Sequence, residues 1–215
     1  MRFEIWEPVY EEILHDFGFT RKRDEEACRL LSDLLIYLGR SSELAALKAR
    51  DILGNRSVIV CGNAPSLERE IEDVARSGYA FMAADGATSV LLRKRIRPDI
   101  IVTDLDGNVE DIKLASRGGS IVAVHAHGDN IDALRSNLAG FKEVIGTVQC
   151  RPVQGVYNFG GFTDGDRCVF LARGLGVPSS GIRLIGFDYD DPGVTPRKSK
   201  KLQWARRLVS LALEE

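Results

Sequence analysis

From Ser57 onward, short apolar runs alternate with stretches of helical periodicity, and this alternation is the feature that most limits the possible folds. The apolar runs are Val58–Cys61, Tyr79–Ala84, Ile100–Val102, Ser120–His125, Glu143–Val148 and Ile182–Phe187. The stretches between them are Leu67–Arg76, Thr88–Arg95, Val109–Arg117, Ile131–Leu138 and Asp164–Leu175. Repeated strand–helix units predict an α/β fold with a doubly wound, mostly parallel sheet of the Rossmann type.

Both ends of the chain add helices to this pattern. Helical spacing predicts helices over Glu7–Phe17, Asp24–Leu38 and Ser42–Leu53, with Ser42 as an N-cap. A last helix is predicted over Arg197–Leu213, with Thr195 as its cap and Pro196 in its first turn. We therefore expect an N-terminal helical segment at 1–55 that shares an interface with an α/β domain at 56–215.

The charge balance excludes whole classes of partner. The 215 residues contain 29 Lys and Arg against 31 Asp and Glu, a net charge of -2. Such a chain is not basic as a whole, so we expect no nucleic-acid partner.

No run approaches the roughly 18 apolar residues of a membrane span, and the acidic N-terminus lacks a signal-peptide pattern. The 4 cysteines are scattered along the chain, and we expect them to be free thiols. These features predict a cytoplasmic protein with no membrane partner.

Acidic residues follow two neighbouring strands of the predicted sheet. Asp85 follows the second strand, and Asp104 and Asp106 follow the third. Ligands bind at the carboxyl ends of such strands, and clustered carboxylates favour Mg²⁺. Solvated turn aspartates are the alternative for an isolated Asp-x-Asp. Because Asp85 lies at a neighbouring strand end, a magnesium site is the better interpretation.

The first strand runs into a turn of small residues that opens a helix. Small residues such as Gly62, Asn63 and Ser66 let the backbone N–H groups of this turn approach phosphate or ribose, aided by the helix N-terminus, and Gly86 follows the second strand on the same side. The turn matches neither a Walker A nor a Gly-x-Gly-x-x-Gly sequence, so taken alone it favours a plain strand-to-helix connection.

The fourth strand leads into His125, His127 and Asp129. Zinc is a minor interpretation, because the sequence shows no third nitrogen or sulfur ligand nearby. We expect His125 and His127 to contact the phosphates of a nucleotide or to position a substrate. Asp129 is a candidate for the carboxylate set or for capping the next helix, and the residues alone leave these roles open.

Two later segments complete the predicted site. Paired glycines beside aromatic residues suit a flat substrate ring, with Asn158, Phe162, Thr163 and Asp164 as its contacts. A core-closing loop with a helix cap is an equal alternative. The last helix begins with Arg197, Lys198, Lys200 and Lys201, where the helix dipole disfavours cations, so a bound polyphosphate explains them better than a solvated face.

These motifs, in this order, resemble a known family. The run AADGA followed by RPDIIVTDLDG is similar to the ADGG and PD-x-I-x-GD-x-DS motifs of thiamine pyrophosphokinases. The fuller set is CGNAPSLE, AADGA, PDIIVTDLDG, HAHGDN, GFTDGDR and KSKKLQWA, and it resembles the archaeal 6-hydroxymethyl-7,8-dihydropterin pyrophosphokinases from about Ser57 to the C-terminus. Thr103 and Gly107 stand where the thiamine enzymes have Gly and Ser, which argues against thiamine as acceptor.

The resemblance implies a thiamine-pyrophosphokinase-like fold and a reaction. It implies Mg²⁺-dependent transfer of pyrophosphate from ATP to the pterin hydroxymethyl group, releasing AMP, in folate- or methanopterin-type cofactor synthesis. Asp85, Asp104 and Asp106 would then hold Mg²⁺, with Asp129 as a further member. The nucleotide would contact Gly62, Asn63 and Ser66, and Lys198 and Lys201 would neutralise phosphate. Asp129 or His127 would be the general base.

Other functions are compatible with parts of the pattern. The run Ile101–Gly107 is similar to the first motif of haloacid-dehalogenase-type phosphatases, although that motif usually lies on the first strand. A thiamine-type pyrophosphokinase, a metal-dependent glycosyltransferase and a non-catalytic nucleotide sensor are further alternatives. The expected partners are ATP and a hydroxymethyl pterin, and a homodimer is an option that the sequence leaves open.

Overall fold

A computed structural model of the chain describes residues 2–74 and 78–214. Its strands are β1 Ser57–Cys61, β2 Tyr79–Ala84, β3 Ile100–Thr103, β4 Ile121–Ala126, β5 Val144–Val148 and β6 Ile182–Ile185. Its α-helices are α1 Phe3–Phe17, α2 Arg21–Tyr37, α3 Ser42–Leu53, α4 Leu67–Glu70, α5 Ala87–Arg93, α6 Val109–Arg117, α7 Ile131–Asn137, α8 Asp164–Gly174 and α9 Pro196–Glu214. Every strand predicted from the sequence is therefore present.

The six strands form one sheet in the order β5-β4-β3-β2-β1-β6, and every neighbouring pair is parallel. The chain moves across the sheet from β1 to β5 and then returns through α8 to place β6 beside β1. Because such crossovers are right-handed, the two directions of travel put helices on opposite faces. With both faces covered, strands β2 to β5 are almost wholly buried and apolar. The predicted doubly wound α/β fold is confirmed.

The N-terminal helices pack directly on the sheet. Helices α2 and α3 contact β5, and α2 also contacts β4. Trp6 is fully buried, and its indole Nε1 donates to the backbone oxygen of Gln149 at 2.9 Å. One apolar core includes residues from these helices and from the strands. The predicted shared interface is present, while the boundary at residues 55 and 56 stays a prediction.

Two helix starts and one cap differ from prediction. Helix α1 begins at Phe3 instead of Glu7, and α2 begins at Arg21 instead of Asp24. Ser41, and not Ser42, caps α3, because its side chain accepts from the backbone N–H of Leu44. Ser42 instead faces the sheet, where its Oγ accepts from the backbone N–H of Gly146 at 2.9 Å. The contact of Ser42 with the sheet is a tertiary one, which local spacing does not report.

The helix predicted over 67–76 is much shorter in the structure. Helix α4 ends at Glu70, and its continuation to residue 74 is a series of turns. The backbone N–H groups of Glu72 and Val74 bond three residues back instead of four, so the winding tightens. The predicted helix residues 75 and 76 lie outside the described residues.

Two further expectations concern the cysteines and the bilayer. All 4 cysteines are buried and free, as expected. Among residues 2–74 and 78–214, none of the helices combines the length and the apolar character that a bilayer crossing needs.

Candidate active site

Four carboxylates converge at the carboxyl edge of the sheet. Asp85 follows β2, Asp104 and Asp106 follow β3, and Asp164 is the first residue of α8. Each contributes an oxygen, and these oxygens all lie within 4.8 Å of one another. The structure thus brings together the three aspartates predicted as metal ligands. It adds Asp164, which the sequence placed among substrate contacts.

The backbone at these strand ends is bent so that the acids face one point. Asp85 and Leu105 have positive φ angles of 35° and 70°, which are uncommon for residues other than glycine. The reversal at Leu105 lets Asp104 and Asp106, on either side of it, reach the same site. Buried Thr103 supports the turn, because its hydroxyl donates to Asp85 and accepts from the N–H of Leu105 at 2.8 Å. Such local strain is typical of functional sites.

Two glycines make room for this packing. A Cβ atom on Gly107 would lie 1.7 Å from Oδ1 of Asp85, so no larger residue fits there. A Cβ atom on Gly86 would lie 2.4 Å from Nδ2 of Asn63. The side chain of Asn63 therefore lies directly against the residue that follows Asp85. This contact connects the turn after β1 with the carboxylate cluster.

The crowded acids resist ionisation. Burial, together with the charges of Asp106 and Asp104, raises the pKa of Asp85 to about 6. Burial and the Asp104 charge raise the pKa of Asp106, and the same two causes raise the pKa of Asp164 well above its usual range. Four carboxylates this close cannot all be charged without a compensating cation.

Asp104 is the exception in the cluster. Burial acts to raise its pKa, but a hydrogen bond from His127 and the charge of Arg167 outweigh burial and hold the pKa well below its usual range. Its Oδ1 atom is buried and has no hydrogen-bond partner. Asp104 is therefore an ionised carboxylate with one free oxygen.

The donor set fits Mg²⁺. All four converging groups offer hard carboxylate oxygens, which Mg²⁺ prefers, and the unpaired Oδ1 of Asp104 is free to act as a ligand. Zinc sites usually include nitrogen or sulfur ligands, and neither His125 nor His127 belongs to the described cluster.

His127 lies beside the cluster with both ring nitrogens engaged. Its Nδ1 accepts from the backbone N–H of Asp129 at 3.2 Å, which places a ring hydrogen on Nε2. Nε2 lies 3.2 Å from Oδ2 of Asp104 and donates to it. No lone pair is left to take a proton, so this geometry does not suit the predicted general base. His127 instead orients Asp104.

His125 lies beneath the surface of the site. It is 1% exposed, and its Nδ1 pairs with the hydroxyl of Thr147 at 3.1 Å. Burial lowers the pKa of His125 well below its usual value, so the ring is neutral. The predicted contact between His125 and the nucleotide has no geometric support in this arrangement.

A cavity of about 360 Å³ opens beside the carboxylates. Its walls come from the turn between α1 and α2, the ends of β3 and β4, Phe162 and the start of α9. Six predicted site residues line it, namely Asp104, Asp106, His127, Asp129, Phe162 and Lys201. Asp129 is exposed and forms an ion pair of 3.2 Å with Arg23, so it lies on the rim and apart from the four converging acids.

The basic residues of α9 divide between the cavity and solvent. Arg197 and Lys201 line the cavity, where burial and then the charge of Arg167 lower the pKa of Lys201. Lys198 is exposed, and it is not among the described residues that line the cavity. Lys200 turns to Asp16, at 3.3 Å.

The remaining predicted contacts lie elsewhere. Gly62, Asn63 and Ser66 form the turn at the border of β1 and β6, where Gly62 donates to the oxygen of Ile185 at 2.9 Å. The amide of Asn158 donates to the backbone oxygens of Gln149 and Cys150, both at 2.9 Å. Thr163 caps α8 through a capping box with Asp166. Asn158 and Thr163 therefore stabilise the loop and the start of α8. This matches the core-closing loop with a helix cap, which the sequence predicted as an equal alternative to substrate contacts.

Among the lining residues that sequence reasoning did not single out are Phe19, Asp24, Gln149 and Arg167. Asp24 and Gln149 are 5% and 4% exposed. Arg167 forms an ion pair of 3.2 Å with Asp164. An acid in the first turn of a helix is common, so Asp24 carried no local signal.

A parallel sheet with converging carboxylates, cations and a cavity at its carboxyl edge defines an α/β enzyme, here of the diphosphotransferase class. A family model described as 6-hydroxymethylpterin diphosphokinase MptE-like matches residues 37–193. The chain belongs to this MptE-like family.

Archaeal relatives match nearly the whole chain. A protein of Methanothermobacter thermautotrophicus is 41% identical and one of Pyrococcus furiosus is 39% identical, with 97% of this chain covered in each case and 94% and 93% of the relatives. A protein of Methanocaldococcus jannaschii is 35% identical, with 98% and 95% covered. Each is named 6-hydroxymethyl-7,8-dihydropterin pyrophosphokinase.

Among solved structures, the Maf glycosyltransferase of Magnetospirillum magneticum AMB-1 is similar in fold. The TM-score is 0.53 at 16% identity, and the match covers 74% of this chain and 30% of that one. At this identity the likeness concerns the α/β fold alone.

Proposed function

We propose that the protein transfers the β,γ-pyrophosphoryl group of ATP to the hydroxymethyl oxygen of 6-hydroxymethyl-7,8-dihydropterin. The acceptor oxygen bonds to the β-phosphorus, the bond between that phosphorus and the α,β-bridging oxygen breaks, and AMP leaves. The hydroxyl proton passes to a base or to solvent. The product would serve folate- or methanopterin-type cofactor synthesis.

The observation that carries this proposal is the convergence of Asp85, Asp104, Asp106 and Asp164 within 4.8 Å beside the cavity. Phosphoryl-type transfer needs positioning and charge stabilisation more than a strong nucleophile. The four carboxylates would hold Mg²⁺, which supplies charge neutralisation on the phosphates when bound. The names of the archaeal relatives support the choice of acceptor.

We place the nucleotide at the turn formed by Gly62, Asn63 and Ser66. This turn lies where the chain's direction across the sheet reverses, between β1 and β6, which is the usual ligand site of doubly wound sheets. Asn63 contacts Gly86, the neighbour of Asp85, so phosphates extending from the turn would meet the carboxylates. Lys201 and Arg197 would neutralise phosphate charge from the cavity side, with Lys198 at the exposed edge.

In this scheme the Asp129 carboxylate accepts the proton of the acceptor hydroxyl group. Of the two bases considered, His127 has both nitrogens engaged, whereas the Asp129 carboxylate lines the cavity with oxygens to spare. Its ion pair with Arg23 would hold it at the rim.

The test is incubation of the protein with ATP, Mg²⁺ and one acceptor at a time, followed by chromatography of the nucleotides. We expect AMP and a pterin diphosphate with the hydroxymethyl dihydropterin, and no AMP with thiamine or without an acceptor. AMP formation with thiamine instead would indicate the thiamine-type enzyme. Release of orthophosphate from small phosphoesters would indicate a phosphatase, and ATP that binds but stays intact with every acceptor would indicate a sensor.

A further inference from the structure

The N-terminal helical segment supplies one wall of the cavity. Gly18, Phe19 and Thr20, between α1 and α2, and Asp24, in the first turn of α2, line it opposite the ends of β3 and β4. Gly128 lets this wall approach, because a Cβ atom there would lie 2.4 Å from Cβ of Arg23. The segment is therefore part of the site as well as of the core.

Asp24 is a buried carboxylate held rigidly in that wall. Its Oδ2 accepts from the Tyr10 hydroxyl at 2.7 Å and from Nε2 of Gln149 at 2.8 Å. Its Oδ1 accepts from the backbone N–H of Gly128 at 2.9 Å. A carboxylate offers about four lone-pair positions, so Oδ1 retains one free position.

Gln149 presents a buried acceptor without a partner. The residue is 4% exposed and lines the cavity, and its Oε1 makes no hydrogen bond. Its backbone oxygen is fixed from two sides by Nε1 of Trp6 and Nδ2 of Asn158, both at 2.9 Å. A buried unpaired acceptor costs about 1–3 kcal/mol, and a ligand N–H would remove that cost.

Two aromatic side chains stand at the same cavity. Phe19 and Phe162 have ring centroids 6.5 Å apart with planes tilted by 53°. The guanidinium of Arg197 lies 5.6 Å from the Phe19 ring, and Nζ of Lys201 lies 5.8 Å from the Phe162 ring. Aromatic side chains with fixed acceptors nearby suit a flat heteroaromatic ring that carries N–H donors.

We propose that this cavity is the acceptor subsite, in which Gln149 Oε1 and Asp24 Oδ1 receive N–H groups of the pterin ring, beside Phe19 and Phe162. The inference rests on the proposed function and adds the residues that recognise the acceptor. A pterin offers the matching donors in its 2-amino group and ring N–H. The N-terminal segment thereby acts in substrate selection, and the nucleotide lies at the β1–β6 border with its phosphates extending to the carboxylates.

The test compares Gln149→Met with the wild-type protein and with Gln154→Met. Methionine keeps the length of the side chain and removes the acceptor, and Gln154 is an exposed residue outside the cavity lining. In Gln149→Met we expect the KM for the pterin to rise at least about tenfold, the scale of one lost buried hydrogen bond, while the KM for ATP stays within about twofold. Gln154→Met should match the wild type in both constants.

Phe19→Leu provides a second test of the subsite in case Gln149→Met fails to fold. Phe19 is only half-buried, so Phe19→Leu should fold, and we expect it to raise the pterin KM without a matching change for ATP. An active wild type with unchanged pterin KM in each folded variant would overturn the subsite, and so would equal shifts of both KM values. A wild type that makes no AMP with the pterin would overturn the proposed function itself.

Discussion

His127 donates from Nε2 to Oδ2 of Asp104 at 3.2 Å, across the ends of the neighbouring strands β3 and β4. The backbone N–H of Asp129 fixes the opposite ring nitrogen. This hydrogen bond helps to keep Asp104 ionised inside a cluster whose other members resist ionisation. We therefore propose that His127 is a positioning residue that acts through Asp104.

Replacing His127 tests that role. His127→Leu removes the donor, so the Asp104 pKa should rise, and we expect kcat to fall about 10- to 100-fold with the acidic limb of the kcat/KM profile moved to higher pH. His127→Gln retains an N–H donor and should recover part of the rate. Steady-state kinetics from pH 5 to 8 would check this. Equal losses in both variants, with an unmoved pH profile, would contradict it.

Asp104 and Asp106 should be indispensable for catalysis. Asp104→Asn and Asp106→Asn each remove a charged ligand from the cluster, and we expect AMP formation to fall at least about 1000-fold, or roughly 4 kcal/mol of barrier. Circular dichroism should show that the fold survives. Asp132→Asn is the matched control, because the Asp132 side chain is 97% exposed. Full activity in either cluster variant would refute the metal assignment.

Asp85 should make the metal-free protein less stable as the pH rises. Its pKa is about 6 in the folded protein against an ordinary 3.8, so the folded state binds the proton more tightly. The resulting stability is present below about pH 4 and is lost as the pH rises through 6.

Asp85→Asn removes that titration. In the presence of a chelator, we expect the Tm of the variant relative to the wild type to be higher at pH 7.5 than at pH 5, by about 2–4 °C per kcal/mol of linkage. Added Mg²⁺ should raise the wild-type Tm more than that of the variant. Calorimetry at both pH values measures this, and a pH-independent Tm difference would show that Asp85 does not titrate in this range.

Gly86 and Asn63 should be coupled. An alanine Cβ at position 86 would lie 2.4 Å from Nδ2 of Asn63, so Gly86→Ala must displace that amide. We expect Gly86→Ala to lower the unfolding free energy by about 1–3 kcal/mol and to raise the KM for ATP. Asn63→Ala should relieve the clash, so the double variant should be more stable than Gly86→Ala. Urea unfolding of the four proteins provides the cycle, and simple additivity would argue against the contact.

The strand–helix alternation could be predicted from the sequence because its two determinants, apolar runs and helical periodicity, are local. Apolar runs such as Val58–Cys61 and periodic helices such as α6 need no tertiary information to be recognised. Because parallel strands end at one edge, Asp85, Asp104 and Asp106 could be placed together from strand ends alone. The early end of helix α4 and the early start of α1 could not be predicted in this way, since hydrogen bonds and burial set the ends of a helix.

The candidate site could be predicted only in part, because local patterns do not report which distant segments meet. Asp164 looked like a helix cap or a substrate contact, and only the return of α8 under β1 to β3 brings it to the carboxylates. His125 looked like a surface ligand, and the fold buries it. Asp24 and Gln149 lie 125 positions apart, and no spacing rule connects them.

The sequence by itself determined the fold class, the family-specific order of motifs and the acids that follow β2 and β3, because these depend on periodicity and on neighbours along the chain. Only the tertiary structure decided that the N-terminal helices complete the cavity and that Gln149 and Asp24 meet in its wall. It also decided that His127 lies within hydrogen-bond distance of Asp104. Those outcomes depend on which side chains remain buried and partnered once distant segments pack, which is a property of the folded chain as a whole.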